Sequence, residues 1–295
     1  MRDPGYLLRA VFGTWRSYRH RFVPWVALNL ARNRRTTRYV PEGCTDKVKS
    51  DAEVYSTLVK VFQAFFIGDL SRQTDLLNLL SETTQCVYGR PAAEMIKARA
   101  PEDIFQQAED IMYDCLGFCI GRGPSTISTA GAGVFVCRGR VCKGAVVSMY
   151  PGTVYQNYEP IFFQSIGNPF IFRCLDGILI DGNDKGISKS VYRSCSRRDS
   201  LGPLILCDAT WLTPLPQNPL AVAQYVNNCS NEHDANVCYQ EFDVPETLPV
   251  ELRQYLPNTN YSHDLHGPLR CVILVALRDI DCGEELFSNY FTLVR

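Results

Sequence analysis

A chain of 295 residues is long enough to bury a substantial core and is predicted to hold one or two domains. Its 30 basic and 31 acidic side chains nearly cancel, which argues against a general polyanion-binding protein, so direct nucleic-acid binding is not expected. No apolar run approaches the ~20 residues that a membrane-spanning helix needs.

The 13 cysteines are scattered along the chain. An odd number of cysteines without a secretory signal is typical of a protein in a reducing compartment, not of a disulfide-bonded secreted protein. No pair has the Cys-x2-Cys spacing of a zinc ribbon. We therefore expect free thiols and no metal site.

The first 45 residues are predicted to form a separate basic segment. Residues 1–40 contain nine arginines and a single acid, and Leu8, Val11, Phe12 and Trp15 share one helical face. This composition is typical of a mitochondrial transit peptide, although serine is scarce, and it favours the mitochondrion over the nucleus or cytoplasm. The same pattern also suits an arm that binds an acidic partner or nucleic acid, or a solvated basic arm.

Residues 46–119 are predicted to be a helical region. Apolar residues repeat every 3.6 residues through 50–81, which predicts one helix there. A second helical stretch, Pro91–Leu116, is predicted to break and restart at Pro101, because proline suits the first turn of a helix. No constellation of reactive side chains stands out, so the apolar faces are predicted to form core.

From Gly121 onward, short apolar runs alternate with glycine turns, which predicts a β-rich domain over 120–295. No dinucleotide-binding glycine pattern lies between a strand and a helix, so a Rossmann cofactor site is not expected. Segment 187–217 is rich in Ser, Arg and Pro and is predicted to be an inserted surface loop. The predicted strands are Ala132–Val136, Arg140–Tyr150, Phe170–Leu175, Ile178–Ile180, Leu204–Cys207 and Cys271–Leu277.

Three segments of the β-rich part are unusual. Residues 130–135 read Ala-Gly-Ala-Gly-Val-Phe, and glycines of this kind let a backbone approach a ligand because they lack a Cβ. Residues 223–228 read Ala-Gln-Tyr-Val-Asn-Asn and are followed by Asp-Ala-Asn at 234–236. Residues 283–290 read Gly-Glu-Glu-Leu-Phe-Ser-Asn-Tyr.

In order and spacing these segments resemble the SET-domain protein methyltransferases over about residues 120–295. The family pattern Gly-Glu-Glu-Leu-x-x-Asp/Asn-Tyr is matched nearly completely by 283–290. The central pattern Ala-Arg-Phe-Ile-Asn-His is matched by 223–228, with Asn227 at the family asparagine and Asn228 at the histidine. The resemblance implies an α+β fold, in which a helical N-terminal region precedes a β-rich SET domain whose two C-terminal motifs cross in a pseudoknot.

The resemblance also implies a site and a reaction, namely methyl transfer from S-adenosyl-L-methionine to a lysine of a protein substrate. Tyr290 and Tyr150 would be the catalytic residues, and the Tyr290 hydroxyl would orient the amine. No metal is needed for this step. The residues that the resemblance assigns to the cofactor are Tyr290, Ala130, Gly131, Ala132, Gly133, Asn227 and Asn228.

Two departures from the family pattern leave a second interpretation open. Asn228 replaces the histidine, and residues 291–295 contain none of the zinc-binding cysteines that many family members carry after the tyrosine. We expect the helical region or segment 187–217 to cover the substrate channel instead. Alternatively, the domain is a catalytically weak or inactive SET-like binding or scaffold module.

Overall fold

The computed structural model describes residues 46–70, 73–88, 100–201, 204–230, 232–263 and 268–289. The basic N-terminal segment lies outside these ranges, so the mitochondrial location stays a prediction. Within them, no helix combines the length and the apolar character needed to cross a bilayer.

The first helix, α1 (Asp51–Gly68), begins at a capping box in which the Ser50 side chain accepts the N–H of Glu53 and the Glu53 carboxylate accepts that of Ser50. The helix predicted over 50–81 ends at Gly68, and only two short helices follow, α2 (Thr74–Leu77) and α3 (Glu82–Tyr88). A Cβ at Gly68 would collide with the side chain of Ile111, so the glycine permits a close helix crossing there.

The partner in that crossing is α4 (Pro101–Leu116), which starts with proline in its first turn and ends at Gly117 in the left-handed conformation. The predicted restart at Pro101 is therefore confirmed, whereas 91–99 lie outside the described residues. The apolar face of α1 packs against α4 and against the 3₁₀ helix Val250–Tyr255. Helices and sheets consequently share one hydrophobic core.

Among the described residues, the β-rich part contains thirteen strands, two α-helices and three 3₁₀ helices. The short helix α5 (Phe162–Ser165) and the longer α6 (Gly186–Arg198) follow the first strands. The strands are β1 (Phe118–Pro124), β2 (Ala132–Gly139), β3 (Val146–Tyr150), β4 (Gly152–Tyr155), β5 (Ile171–Arg173), β6 (Leu179–Asp181), β7 (Ser200–Leu201), β8 (Leu204–Ile205), β9 (Asn227–Asn228), β10 (Val237–Val244), β11 (Asn258–Asn260), β12 (Leu269–Ala276) and β13 (Phe287–Ser288).

These strands form two main sheets and two hairpins. Strands β3, β12, β10, β13 and β9 lie side by side in that order, and β11, β4, β6 and β5 form the second sheet. Strands β1 and β2 pair as an antiparallel hairpin, as do β7 and β8. The mixed composition agrees with the predicted α+β class.

The strand that is last in sequence, β13, lies between β9 and β10 in the five-stranded sheet, and these two strands follow each other directly along the chain. Strand β13 is parallel to both β9 and β10, although only residues 229–236 connect β9 to β10. Asn236 fixes this crossing because its side chain donates to the Glu285 carbonyl and accepts the N–H of Phe287 at 2.8 Å each. The arrangement is the threaded topology implied by the predicted pseudoknot.

The prediction that 187–217 is a surface loop is wrong. Helix α6 occupies its first half, and Tyr192 in that helix is fully buried. The Tyr192 ring packs edge-on against Trp211 at 4.9 Å, and with Cys207 and Leu212 the two rings form a second small core. The abundant Ser, Arg and Pro residues concealed this core, because its few apolar members are widely spaced in the sequence.

Two buried carboxyls have raised pKa values, Asp208 beside this second core and Asp181 at the end of β6. Burial raises the pKa of Asp208 to about 6, although hydrogen bonds from Thr210 act to lower that pKa. Burial likewise raises the pKa of Asp181 to about 6, against hydrogen bonds from Ser188 and Asn168. Because the ordinary value is 3.8, the folded state holds these protons more tightly than the unfolded chain does, so both carboxyls contribute less to stability as pH rises through this interval.

Replacing Asp208 with asparagine should remove one of these titrations. Relative to the wild type, the free energy of unfolding of Asp208→Asn should rise by roughly 2–3 kcal/mol between about pH 4 and about pH 7. Urea unfolding at several pH values measures this difference. The exposed Asp114, changed to asparagine, is the surface control. If the difference in free energy of unfolding between Asp208→Asn and the wild type stayed constant over this pH range, the raised pKa of Asp208 would be contradicted.

Candidate active site

A cavity of about 560 Å³ opens where the β1–β2 hairpin meets the end of β3, strand β5 and the 3₁₀ helix Ala223–Tyr225. This volume lies within the range of small-molecule sites. The cavity combines a wall of small residues, an aromatic wall and a charged end. Its lining residues are Arg122, Ile127, Thr129, Ala130, Ala132, Tyr150, Pro169, Phe170, Ile171, Phe172, Asp184, Lys185, Gln224, Tyr225, Asn227, Asn228 and Tyr239.

The predicted glycine turn contributes its alanines to the cavity. Ala130 and Ala132 line it, whereas Gly131 and Gly133 do not. Gly131 has a φ of 78°, a conformation that favours glycine, and its carbonyl accepts the N–H of Ser125. Gly133 is needed for a different reason, because a Cβ there would collide with the Glu285 carboxylate. The missing side chain of Gly133 therefore makes room for a group of the protein itself.

The Glu285 carboxylate joins this turn to the central motif. It accepts hydrogen bonds from the Ser125 hydroxyl at 2.7 Å and from the Thr126 backbone and hydroxyl at 2.8 and 2.5 Å. It also accepts a bond from the Asn227 amide at 3.1 Å. Although burial raises the pKa of Glu285, these hydrogen bonds outweigh burial and hold the pKa below its ordinary value. The sequence indicated the motif but gave no role to this side chain.

The two asparagines of the central motif lie at the edge of the cavity. The Asn227 amide also donates to the Ala132 carbonyl at 2.9 Å, so both predicted motifs meet at this side chain. Asn227 and Asn228 form strand β9, which pairs with Phe287 and Ser288 of β13. The first two predicted motifs thus line one wall of the cavity, and the described part of the third packs behind that wall through Glu285 and β13.

Tyr150 is part of the aromatic wall. It is buried, and its ring centroid lies 5.3 Å from that of Phe172 and 6.1 Å from that of Tyr239. Its hydroxyl donates to the Phe170 carbonyl at 2.7 Å. The side chain is therefore fixed in the wall.

The charged end of the cavity centres on Tyr225. The Tyr225 hydroxyl donates to Asp184 at 2.8 Å, and burial followed by this bond raises its pKa. The Arg122 guanidinium lies 3.8 Å above the Tyr225 ring, and its nearest nitrogen is 4.0 Å from the Asp184 carboxylate. Sequence analysis missed Arg122 and Asp184, since neither belongs to a predicted motif.

Two further candidates need separate treatment. Tyr290, the predicted catalytic residue, lies outside the described residues, which end at Asn289. His233, a loop histidine beside the central motif, stacks on the ring of Phe287 at 4.7 Å and so packs over the crossing.

One group within the described ranges has the spacing of metal ligands, comprising Cys174, Asp176 and Glu241. Both of its carboxylates are ion-paired with Arg270, at 2.9 and 2.7 Å. A guanidinium placed between the carboxylates opposes the binding of a cation, so this group is better understood as an ion-pair network.

Comparison with known proteins gives two extensive matches. The chain is 60% identical to SET domain-containing protein 9 of Homo sapiens over 297 residues, covering 99% of each chain. It is 61% identical to SET domain-containing protein 9 of Pongo abelii over 265 residues, covering 88% of this chain and 97% of that one. A scan against protein-family models finds no match.

Matches to solved structures are distant. A polycomb repressive complex 2 in an autoinhibited conformation bound to S-adenosylmethionine is 15% identical with a TM-score of 0.32, covering 64% of this chain and 18% of that one. The crystal structure of the Chaetomium thermophilum polycomb repressive complex 2 is 16% identical with a TM-score of 0.32, covering 59% and 15%. The family assignment depends on the two sequence relatives alone.

Proposed function

This chain belongs to the family of SET domain-containing proteins, and we propose that it is an S-adenosylmethionine-dependent methyltransferase acting on lysine side chains of proteins. The observation that carries the proposal is the meeting of three separate motifs at one cavity, two of which line its wall while the third packs behind it. Ala130, Ala132 and Asn227 lie at its wall, and Glu285 ties the turn to the asparagine.

The residues present fit such a cofactor. The cavity is large enough for a small molecule and presents amide groups beside an aromatic wall. The buried amide of Gln224 lines the cavity and adds one donor group and one acceptor atom to its wall. When bound, S-adenosylmethionine would supply an electrophilic methyl group.

The chain's own residues would prepare the lysine amine. A free lysine has a pKa of about 10.4, yet only its neutral form is a nucleophile. The aromatic wall of Tyr150, Phe172 and Tyr239 would exclude water from the amine and so lower its pKa. Tyr150 in that wall and the Tyr290 hydroxyl would then hold the amine in line with the methyl group, which is mainly a positioning task.

A thermal shift tests cofactor binding directly. At a hundredfold excess over the dissociation constant, S-adenosylmethionine should stabilise the folded protein by about 2.7 kcal/mol and raise its melting temperature by a few degrees. An unchanged melting temperature at millimolar cofactor, on a well-folded sample, would argue decisively against the proposal.

Asn228 at the family's histidine position favours a second candidate, a binding or scaffold module without turnover. Transfer of a radiolabelled methyl group from the cofactor to a peptide array separates the two candidates. Labelled peptides with lysine as the acceptor support the enzyme, whereas cofactor binding without any labelled peptide supports the scaffold.

A further inference from the structure

Helix α6 carries a concentration of positive charge on an otherwise acidic part of the chain. Residues 46–295 contain 21 basic and 29 acidic side chains, yet segment 185–198 contains five basic residues and no acid. Four of the five are spaced four residues apart, which places them along one side of the helix within about 120° of its circumference. These four form a basic stripe that consists of Lys185, Lys189, Arg193 and Arg197.

The basic stripe has no acidic partner among the described residues. Lys185, Arg193 and Arg197 are exposed, and no carboxylate within the described ranges forms an ion pair with any member of the stripe. The fifth cation, Arg198, differs because it pairs with Asp199 at 2.7 Å. Like charges four residues apart destabilise a helix slightly, so folding alone does not account for the stripe.

The basic stripe begins at the candidate active site. Lys185 lines the cavity, and the Lys189 amine donates to the Leu212 carbonyl at 3.0 Å. From Lys185 to Arg197 the helix rises by about 18 Å. An extended peptide advances about 3.3 Å per residue and would span this length with about five or six residues. A peptide whose lysine enters the cavity can therefore follow the stripe with the residues next to that lysine.

Exposed apolar side chains lie beside the start of the stripe. Tyr158, Phe163, Ile166 and Ile187 are four of the eight large apolar side chains that the described residues expose, and Tyr158 and Phe163 are 74% and 71% exposed. Ile187 lies in the first turn of α6, and α5, which carries Phe163, packs against α6. Apolar patches rimmed by polar residues are typical of protein–protein surfaces. A protein segment suits this surface better than a nucleic acid, which the acidic remainder of 46–295 would repel.

We propose that the basic stripe and these apolar side chains bind an acidic segment of the protein substrate, an inference that rests on the proposed function. Glutamate or aspartate residues within about six positions of the target lysine pair with Arg193 and Arg197. A bulky apolar residue close to that lysine packs against Ile187 and Phe163. The substrate class is therefore acidic protein segments, because segments rich in lysine and arginine would be repelled by the stripe.

Peptide binding and methyl transfer test the inference by two separate measurements. Three fluorescent peptides share a central lysine with a leucine on each side, and they carry glutamate, glutamine or arginine at the outer positions on both sides. The glutamate peptide should bind the wild type about tenfold more tightly than the glutamine peptide, since each exposed ion pair contributes up to about 1 kcal/mol. This preference should weaken as salt is raised. Fluorescence anisotropy measures affinity, and radiolabelled S-adenosylmethionine measures transfer.

Reversing the charge of the stripe should reverse the preference. The double variant Arg193→Glu/Arg197→Glu should bind the glutamate peptide about tenfold more weakly, bind the glutamine peptide within about twofold of the wild type, and bind the arginine peptide more tightly. A merely damaged surface would not gain affinity for the arginine peptide. Should this variant unfold, Arg193→Gln/Arg197→Gln removes the charge without repulsion and should bind the glutamate and glutamine peptides almost equally.

The chain offers a control that changes the net charge by the same amount. Lys60 and Lys143 are exposed and do not line the cavity. Lys60→Glu/Lys143→Glu should leave all three affinities within about twofold of the wild type, because charges beyond a Debye length of about 8 Å are largely screened at physiological salt.

The outcomes separate two failures. If the glutamate peptide binds through the stripe but no peptide is methylated, the proposed methyltransferase function fails and the acidic binding surface is supported. If the wild type binds the three peptides alike or binds none of them, the acidic-substrate inference fails. It also fails if the wild type binds a DNA duplex at physiological salt and Arg193→Glu/Arg197→Glu does not, since the stripe would then serve a nucleic acid.

Discussion

Replacing Tyr290 with phenylalanine should lower the turnover number for methyl transfer roughly a hundred- to a thousandfold, while the melting temperature and cofactor affinity change little. The substitution removes one hydroxyl and keeps the ring. If that hydroxyl orients the amine in the transition state, its loss costs ~2.7–4 kcal/mol, as for other well-placed catalytic hydrogen-bonding groups. Single-turnover kinetics with saturating S-adenosylmethionine would measure the chemical step.

The matched control is Tyr150→Phe, which also removes one hydroxyl from an aromatic ring. The Tyr150 hydroxyl holds the Phe170 carbonyl, so its loss should reduce stability as well as rate. Tyr290→Phe should reduce rate alone. Near-normal turnover by Tyr290→Phe would remove this residue from the mechanism, and a collapsed fold would make its hydroxyl structural.

The parts of the fold that sequence predicted best are those with strong local signals. Pro101 at a helix start and the apolar run now seen as β12 need no distant partner to be recognised. The predicted strand Arg140–Tyr150 is shorter than expected, beginning at Val146, because Lys143 and Gly144 turn the chain before it. Local signals therefore located elements more reliably than their ends.

Strand β10 was missed because its buried face is partly polar. Gln240 is fully buried, yet its amide accepts the N–H groups of Val48 and Lys49 and so anchors the chain ahead of α1. Glu241 is buried against Arg270. Such residues interrupt the apolar alternation that predicts a strand, and their partners lie almost two hundred residues away or across the sheet.

The site was predictable only where it coincides with sequence motifs. Asn227 and the 130–133 turn were recognised by resemblance, and the structure places them together. Arg122 and Asp184 come from separate parts of the chain, and both contact Tyr225. Their pairing depends on tertiary packing, which no local pattern encodes.

Glu285→Gln should weaken S-adenosylmethionine binding about tenfold and lower the free energy of unfolding by roughly 1–3 kcal/mol. Glutamine keeps the shape of the side chain but removes the charge. It also replaces one acceptor with an NH₂ group that would face donors, since Ser125, Thr126 and Asn227 all donate to this carboxylate. The turn and the asparagine would then lose their common anchor at the cavity wall.

The neighbouring Glu284 is the matched control for this change. Its carboxylate pairs at 2.6 Å with Arg278 on the surface, and exposed ion pairs contribute only about 0–1 kcal/mol. Glu284→Gln should therefore leave cofactor affinity unchanged and stability nearly so. Calorimetric titration of both variants, each checked by urea unfolding, compares two adjacent glutamates of one motif. If Glu285→Gln and Glu284→Gln bound the cofactor with equal affinity, Glu285 would support the fold without shaping the cavity.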